Sequence, residues 1–251
     1  MPLADQLLLF LVSLLANVFS AFSGGGAGLI QFPALIFLGL PFGIALATHK
    51  VASVALGLGA TLRHWREGHL ERRFWLPMLL TGLPGVIVGA NIIIAVPDRA
   101  AEVALGVLTA SLGVYSVFKP ALGQRYEPRH ADASGLSMSG AAMFVVGVLN
   151  GSLASGTGLI ATLWLIRWHG LDYRRAVAYT LVMVGLFWNG TGAVALGLLA
   201  EIKWEWLPAL LLGSLIGGYL GAHLSIVKGN RWIKRGFEIV TLTIGAKLIA
   251  G

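Results

Sequence analysis

The sequence predicts an all-α polytopic membrane protein made of two inverted repeats. Each repeat holds a glycine-broken helix, or a short re-entrant segment, plus three longer transmembrane helices, giving about eight full spans and two short segments. Three observations predict this. Apolar runs long enough to cross a bilayer, about 20 residues each, recur along almost the whole chain. Only 12% of residues are charged while 57% are hydrophobic, and a soluble domain carries roughly twice that charge. The second half also repeats the first in register. Lipid offers no partner to an unpaired backbone group, so the spans must be helical.

In the first unit the segments fall near 3–23, 28–41, 44–62, 74–96 and 101–118, and in the second near 136–154, 158–168, 176–199, 206–226 and 236–250. The chain divides into a first transmembrane repeat (1–118), a linker (119–135) and a second, inverted repeat (136–251). The apolar run after MPLADQ has no basic n-region and no A-x-A-like cleavage site, so it is expected to stay as the first helix. The linker is the longest polar stretch and is too short to fold alone.

The repeat is explicit in the residues. Gly26-Ala27-Gly28-Leu29-Ile30 matches Gly156-Thr157-Gly158-Leu159-Ile160, Gly39-Leu40 matches Gly170-Leu171, Trp75-Leu76-Pro77 matches Trp206-Leu207-Pro208, and Gly89-Ala90 matches Gly221-Ala222. The offset drifts only from 130 to 132 residues. Repeats of this kind are a common plan for secondary transporters.

Loop charge supplies the inversion. The loop with Arg63, Arg66, Arg72 and Arg73 is strongly basic, whereas its repeat partner balances Lys203 with Glu201 and Glu205. The positive-inside rule puts the first in the cytoplasm and the second outside. Loops 119–135, 167–175 and 228–235 are also basic and read as cytoplasmic, while the near-neutral PDRAAE turn and both termini read as external. The expected location is a bacterial inner membrane, crossed many times. The net charge of +7 is thereby a topology signal. No basic stripe interleaves with aromatics, so nucleic acid is not an expected partner. The chain has no cysteine, which excludes disulfides, thiolate metal sites and cysteine nucleophiles.

Two readings compete for SGGGAG (23–28) and its partner NGSLASGTG (150–158). Small residues let membrane helices pack closely. Alternatively, the glycines open the backbone near mid-membrane, and the short pieces that follow turn their positive N-terminal ends toward one spot. The second reading is favoured. Four glycines in five residues exceed the needs of packing, and Pro33 suits the first turns of a new helix. The following pieces are also short, and the break recurs in both units. A nucleotide-binding loop fits poorly, because no strand precedes it and no Gly-Lys-Ser/Thr follows.

The second constellation is ALATHKVAS (45–53), with Thr48, His49, Lys50 and Ser53 in an otherwise apolar helix. A cation at a helix centre costs on the order of 3 kcal/mol. Lys50 either snorkels to the surface or faces a polar cavity and attracts an anion. His49 could donate a hydrogen bond, carry a proton as a coupling group, or serve a structural role. The aligned second-unit stretch is Ala178-Tyr179-Thr180-Leu181, so the lysine has no counterpart.

The candidate substrate-binding residues are thus Gly24, Gly25, Gly26, Gln31, Thr48, His49, Lys50, Ser53, Asn150, Ser155, Gly156, Thr157 and Thr180, with Asn189 and Ser152 of lower weight. No carboxylate lies deep in an apolar run; Glu102 and Glu238 sit within about a turn of an end. No catalytic pair, metal ligand set or cofactor motif emerges, so no enzyme activity, metal or cofactor is expected. The aromatic residues at segment ends read as an interfacial belt.

At these residues the chain resembles the TauE/SafE family of membrane transporters, the sulfite exporter or toluenesulfonate uptake permease family. GGGAGLIQFPAL, ALATHKVAS, RHWREGHL, WLPMLLTGLPGVIVGA, GTGLI, GLDYRRAVAYT and KGNRWIKRGFEIV carry the likeness over nearly the entire chain. The resemblance implies a transporter of sulfur-containing anions such as sulfite, sulfoacetate or related sulfonates. Related sequences often have Ala-Thr-Asn-Lys where this chain has Ala47-Thr48-His49-Lys50, and often a lysine in place of Leu181. The expected partners are a small anionic substrate and the lipid bilayer, with a homodimer left open. An alternating-access exporter is the favoured reading; an anion channel and an uptake carrier for another small anion are the alternatives.

Overall fold

The computed structural model describes residues 3–68, 70, 72–92, 98–153 and 156–250. Every regular element among them is helical. Helix α1 (Leu3–Ser23) ends at the first glycine run; a 3-10 turn (Ala27–Leu29) and the short α2 (Gln31–Phe37) follow. Then come α3 (Phe42–Trp65), α4 (Arg72–Ile92), α5 (Asp98–Val117) and α6 (Ala133–Ser152). After the second glycine run lie α7 (Thr157–Arg167) and α8 (Tyr173–Thr180), which continues through a π-helical stretch (Leu181–Trp188) into α9 (Asn189–Gly197). A 3-10 turn (Trp204–Trp206), α10 (Leu207–Lys228) and α11 (Asn230–Ala250) complete the chain.

Among the described residues, six helices are long and apolar enough to cross a membrane: Leu3–Ser23, Phe42–Trp65, Trp75–Ile92, Ala133–Ser152, Tyr173–Gly197 and Trp204–Lys228. The other two expected crossings are present as helices of 20 and 21 residues, α5 and α11. Among the described residues Gly106–Val117 of α5 is a shorter apolar helix, and α11 carries Arg231, Lys234, Arg235 and Glu238 in its first half. The short pieces after the glycine runs, Ala27–Phe37 and Thr157–Arg167, are too short to span alone.

Glycine stripes set the closest helix approaches. A Cβ added to Gly85 or Gly89 of α4 would lie 2.3 Å and 2.0 Å from the carbonyl oxygens of Phe144 and Val148 in α6. A Cβ on Gly217 or Gly221 of α10 would lie 2.6 Å and 2.3 Å from those of Leu14 and Val18 in α1. In membranes such small-residue faces replace the hydrophobic drive between helices. The two sets are reciprocal: shifting 85 and 89 by 132 gives 217 and 221, and shifting 14 and 18 by 130 gives 144 and 148.

Two local features depart from the sequence reading. The segment expected as one helix over 176–199 begins at Tyr173, capped by the Asp172 carboxylate, which accepts from Arg175 N at 3.1 Å, and its middle is π-helical. Helix α11 begins at Asn230 rather than 236. Its charged first turns are held by the Lys234–Glu238 pair four residues apart and by Lys234 Nζ donating to Ser116 O at 2.6 Å. That pair draws Glu238 into contact with α5, a partner no local pattern announces.

Candidate functional site

The two glycine breaks meet. Gly26 and Gly156 both adopt left-handed backbone, φ 104° and 88°, and each caps the helical turn that follows with no side-chain bond. Leu29 N donates to Gly26 O at 3.0 Å, and Leu159 N donates to Gly156 O at 3.0 Å, so the two turns start alike. Their backbones touch. A Cβ on Gly25 would lie 2.9 Å from Leu159 N, and a Cβ on Gly158 would lie 2.9 Å from Gly24 O. The two amides that precede Leu29 N and Leu159 N in each turn, those of Ala27 and Gly28 and of Thr157 and Gly158, come too early to find an acceptor within their own helix, and all four residues border one shared space.

That space is a cavity of about 40 Å³, room for about three waters at the ~10–15 Å³ each requires, or for one small polyatomic ion. Gly24, Gly25, Gly26, His49, Ser53, Asn150, Gly156, Thr157, Thr180 and the lower-weight candidate Asn189 line it, all named by the sequence reading, together with Ser20, Leu181, Val184 and Gly185. Among the described residues, no carboxylate lines it. Its polar groups are mainly donors or hydroxyls, suited to an oxyanion.

Lys50 stands directly behind this wall. It is 1% exposed, so it does not snorkel. Its Nζ donates to Asn150 O at 2.6 Å, to Asn150 Oδ1 at 3.4 Å and to Asn189 Oδ1 at 3.3 Å. An ammonium group can only donate, so it holds both amide oxygens toward itself. The amide nitrogens are thereby turned away, and Asn150 Nδ2 donates to Thr157 Oγ1 at 3.0 Å. The Asn150 carbonyl is in the last turn of α6, where a cation also suits the negative end of the helix.

On the opposite wall, Thr162 Oγ1 lies 3.1 Å from Gly24 O and donates to Thr180 Oγ1 at 2.9 Å. His49 Nε2 and Ser53 Oγ, one turn apart on α3, are 3.2 Å from each other.

Three predicted residues lie off the cavity with partners of their own. Gln31 Oε1 accepts from Asn17 Nδ2 at 3.1 Å in a buried cluster with Ser13 and Ser214. Thr48 Oγ1 accepts from Lys203 N at 3.0 Å. Lys50 is the third, one layer back. Ser155 lies outside the described residues. Sequence reasoning missed Ser20 and Thr162. Ser20 had a signal, because Ser13, Asn17 and Ser20 fall at i, i+4 and i+7, one polar stripe on α1. Thr162 had none; its role comes from the other half of the chain.

The family described as "Sulfite exporter TauE/SafE" matches residues 9–248. A probable membrane transporter protein of Haemophilus influenzae is 30% identical over 96% of this chain and 93% of its own length. The probable membrane transporter protein ORF9 of a Sinorhizobium species is 26% identical, covering 96% of this chain and 91% of that protein. The probable membrane transporter protein YfcA of Escherichia coli K12 is 26% identical over 96% and 88%. No solved structure matches.

Proposed function

The chain belongs to the sulfite exporter TauE/SafE family of membrane transporters, and on that premise we propose that it is a secondary carrier for small sulfur-containing oxyanions such as sulfite, sulfoacetate or related organosulfonates. Transport runs outward across the bacterial inner membrane by alternating access, with the substrate held where the two glycine breaks meet. The observation that carries this reading is the contact of Gly25 with Gly158 beside Asn150, Thr157 and Thr180. Paired helix starts, amide nitrogens and hydroxyls suit an oxyanion, and Lys50 adds positive field from one layer back.

The reciprocity of the α4–α6 and α10–α1 glycine contacts supports two inverted repeats, 1–118 and 136–251, joined by the linker 119–135. In this reading α5 and α11 complete eight crossings, and both termini lie outside. Export of a monoanion is favoured by an inside-negative potential, about 2.3 kcal/mol per charge per 100 mV, so no coupled ion is required. If a proton is coupled, His49 on the cavity wall is its carrier. The small cavity, walled by buried side chains, favours a carrier with an enclosed site over an open channel.

The test is direct binding. Purified protein titrated with sulfite should bind saturably, with sulfoacetate competing. Thr157→Val keeps the shape and removes one hydroxyl. It should weaken binding about 2- to 10-fold, the equivalent of the ~0.5–1.5 kcal/mol of one hydrogen bond. Unchanged affinity in a folded Thr157→Val protein would remove the site from this cavity.

A further inference from the structure

A second cavity lies far from the glycine breaks, at the opposite end of α7. It holds about 1020 Å³ between the end of α5, the linker and the α7–α8 connection. The linker is pinned there by its backbone. Glu127 N donates to Gly170 O and Arg129 N to His169 O, each at 2.9 Å, and Tyr173 N donates to Gly123 O at 2.9 Å. Arg125, Glu127 and Arg129, at alternate positions, all line the groove. Tyr126 between them instead lies under the Arg175 guanidinium, 4.0 Å from its ring centre. Lys119 and Arg167 add two more cations.

Four cations thus share one groove with a single carboxylate, Glu127. Arg167 engages Tyr115 OH through Nε at 3.0 Å. Lys119 and Arg125 make no side-chain hydrogen bond or ion pair among the described residues. Four like charges against one counter-charge favour an anion, and guanidinium groups match phosphate oxygens. An exposed apolar track adjoins the groove. Phe118, beside Lys119, is 77% exposed, and Val107, Val114 and Val117 continue an exposed apolar track along α5. Trp164 and Trp168 stack 5.5 Å apart at the end of α7, the placement of aromatics at a membrane interface.

We propose that this groove binds the phosphate headgroup of an anionic phospholipid, with the acyl chains lying along the exposed face of α5. A soluble oxyanion would use the cations and leave the apolar track unexplained. The site is independent of the transport cavity.

The experiment titrates the purified full-length chain, in neutral detergent, with phosphatidylglycerol, phosphatidylcholine and glycerol 1-phosphate, reading bound lipid by native mass spectrometry. Phosphatidylglycerol should bind, phosphatidylcholine should not, and glycerol 1-phosphate should not compete. The double variant Lys119→Gln/Arg125→Gln should bind phosphatidylglycerol about 30-fold more weakly, the factor given by ~1 kcal/mol for each of two basic residues. Both side chains are exposed and unpaired, so folding should persist, read as an unchanged melting temperature without lipid. Arg231→Gln, a basic residue outside the groove, should bind as the unaltered chain does. Equal binding by the double variant would overturn the proposal, as would an equal loss in Arg231→Gln. Glycerol 1-phosphate binding as tightly as the lipid would assign the groove to soluble phosphates instead.

Discussion

Gly158→Ala is the sharpest perturbation of the transport site. The glycine has helical neighbours and no unusual φ, so the alanine methyl group acts through space alone. That methyl would meet Gly24 O at 2.9 Å and Gly25 Cα at 3.2 Å. Both are backbone atoms of the opposite break, which cannot rotate away. The breaks must separate by a few tenths of an ångström, at the roughly 1–3 kcal/mol typical of an overpacked contact. Part of that cost falls on stability, and the rest moves the donors around a cavity only about 40 Å³ in size. If the full cost falls on the bound state, transport drops between about 5-fold and 150-fold. Gly190→Ala is the control. It lies in α9, near the cavity, and its added Cβ would meet only Val54, at 4.0 Å. It should hold or raise stability by about 0.5–1 kcal/mol with flux unchanged. The assay is sulfite efflux from proteoliposomes, with thermal melting to confirm folding. Wild-type flux in a folded Gly158→Ala protein would refute the placement of substrate between the breaks.

Other predictions follow from single contacts. Lys50→Ala leaves the Asn150 carbonyl and two amide oxygens without their donor, so it should lower stability by roughly 1–3 kcal/mol and weaken sulfite binding; a melting curve and a titration check both. His49→Gln should abolish the pH dependence of flux if a proton is carried there, and a retained pH profile would remove that role. His169 should make stability depend on pH. Its buried imidazole lies between Ser139 Oγ at 2.7 Å and the Arg129 carbonyl oxygen at 3.3 Å, and burial lowers its pKa below the ordinary 6.5. The folded state therefore binds fewer protons than the unfolded one. The stabilisation is complete above about pH 6.5 and declines as pH falls through the lowered pKa; His169→Gln should flatten that slope in melting curves taken from pH 7.5 to 5.

The helical membrane fold was legible in the sequence because lipid imposes a length and an apolarity that few other folds share. The breaks at Gly26 and Gly156 were legible because glycine clusters inside apolar runs have few other uses. Most cavity residues followed from them. Lys50 was picked out as an embedded cation, yet its partners Asn150 and Asn189 lie 100 and 139 residues away, beyond any local pattern. The π-helical stretch from Leu181 to Trp188 was not legible either, since its residues are as apolar as those of an ordinary α-helix. Glu238 was placed near a helix end by sequence, but the longer α11 carries it into a pair with the buried Lys234.

The most direct measurement is sulfite and sulfoacetate flux in proteoliposomes under an imposed potential, with counterflow recorded in the same preparation. The account predicts saturable flux that grows as the interior is made negative relative to the direction of exit, and that shows counterflow. Unsaturable flux without counterflow would mean a channel, and no flux of either anion would contradict the proposed substrate class.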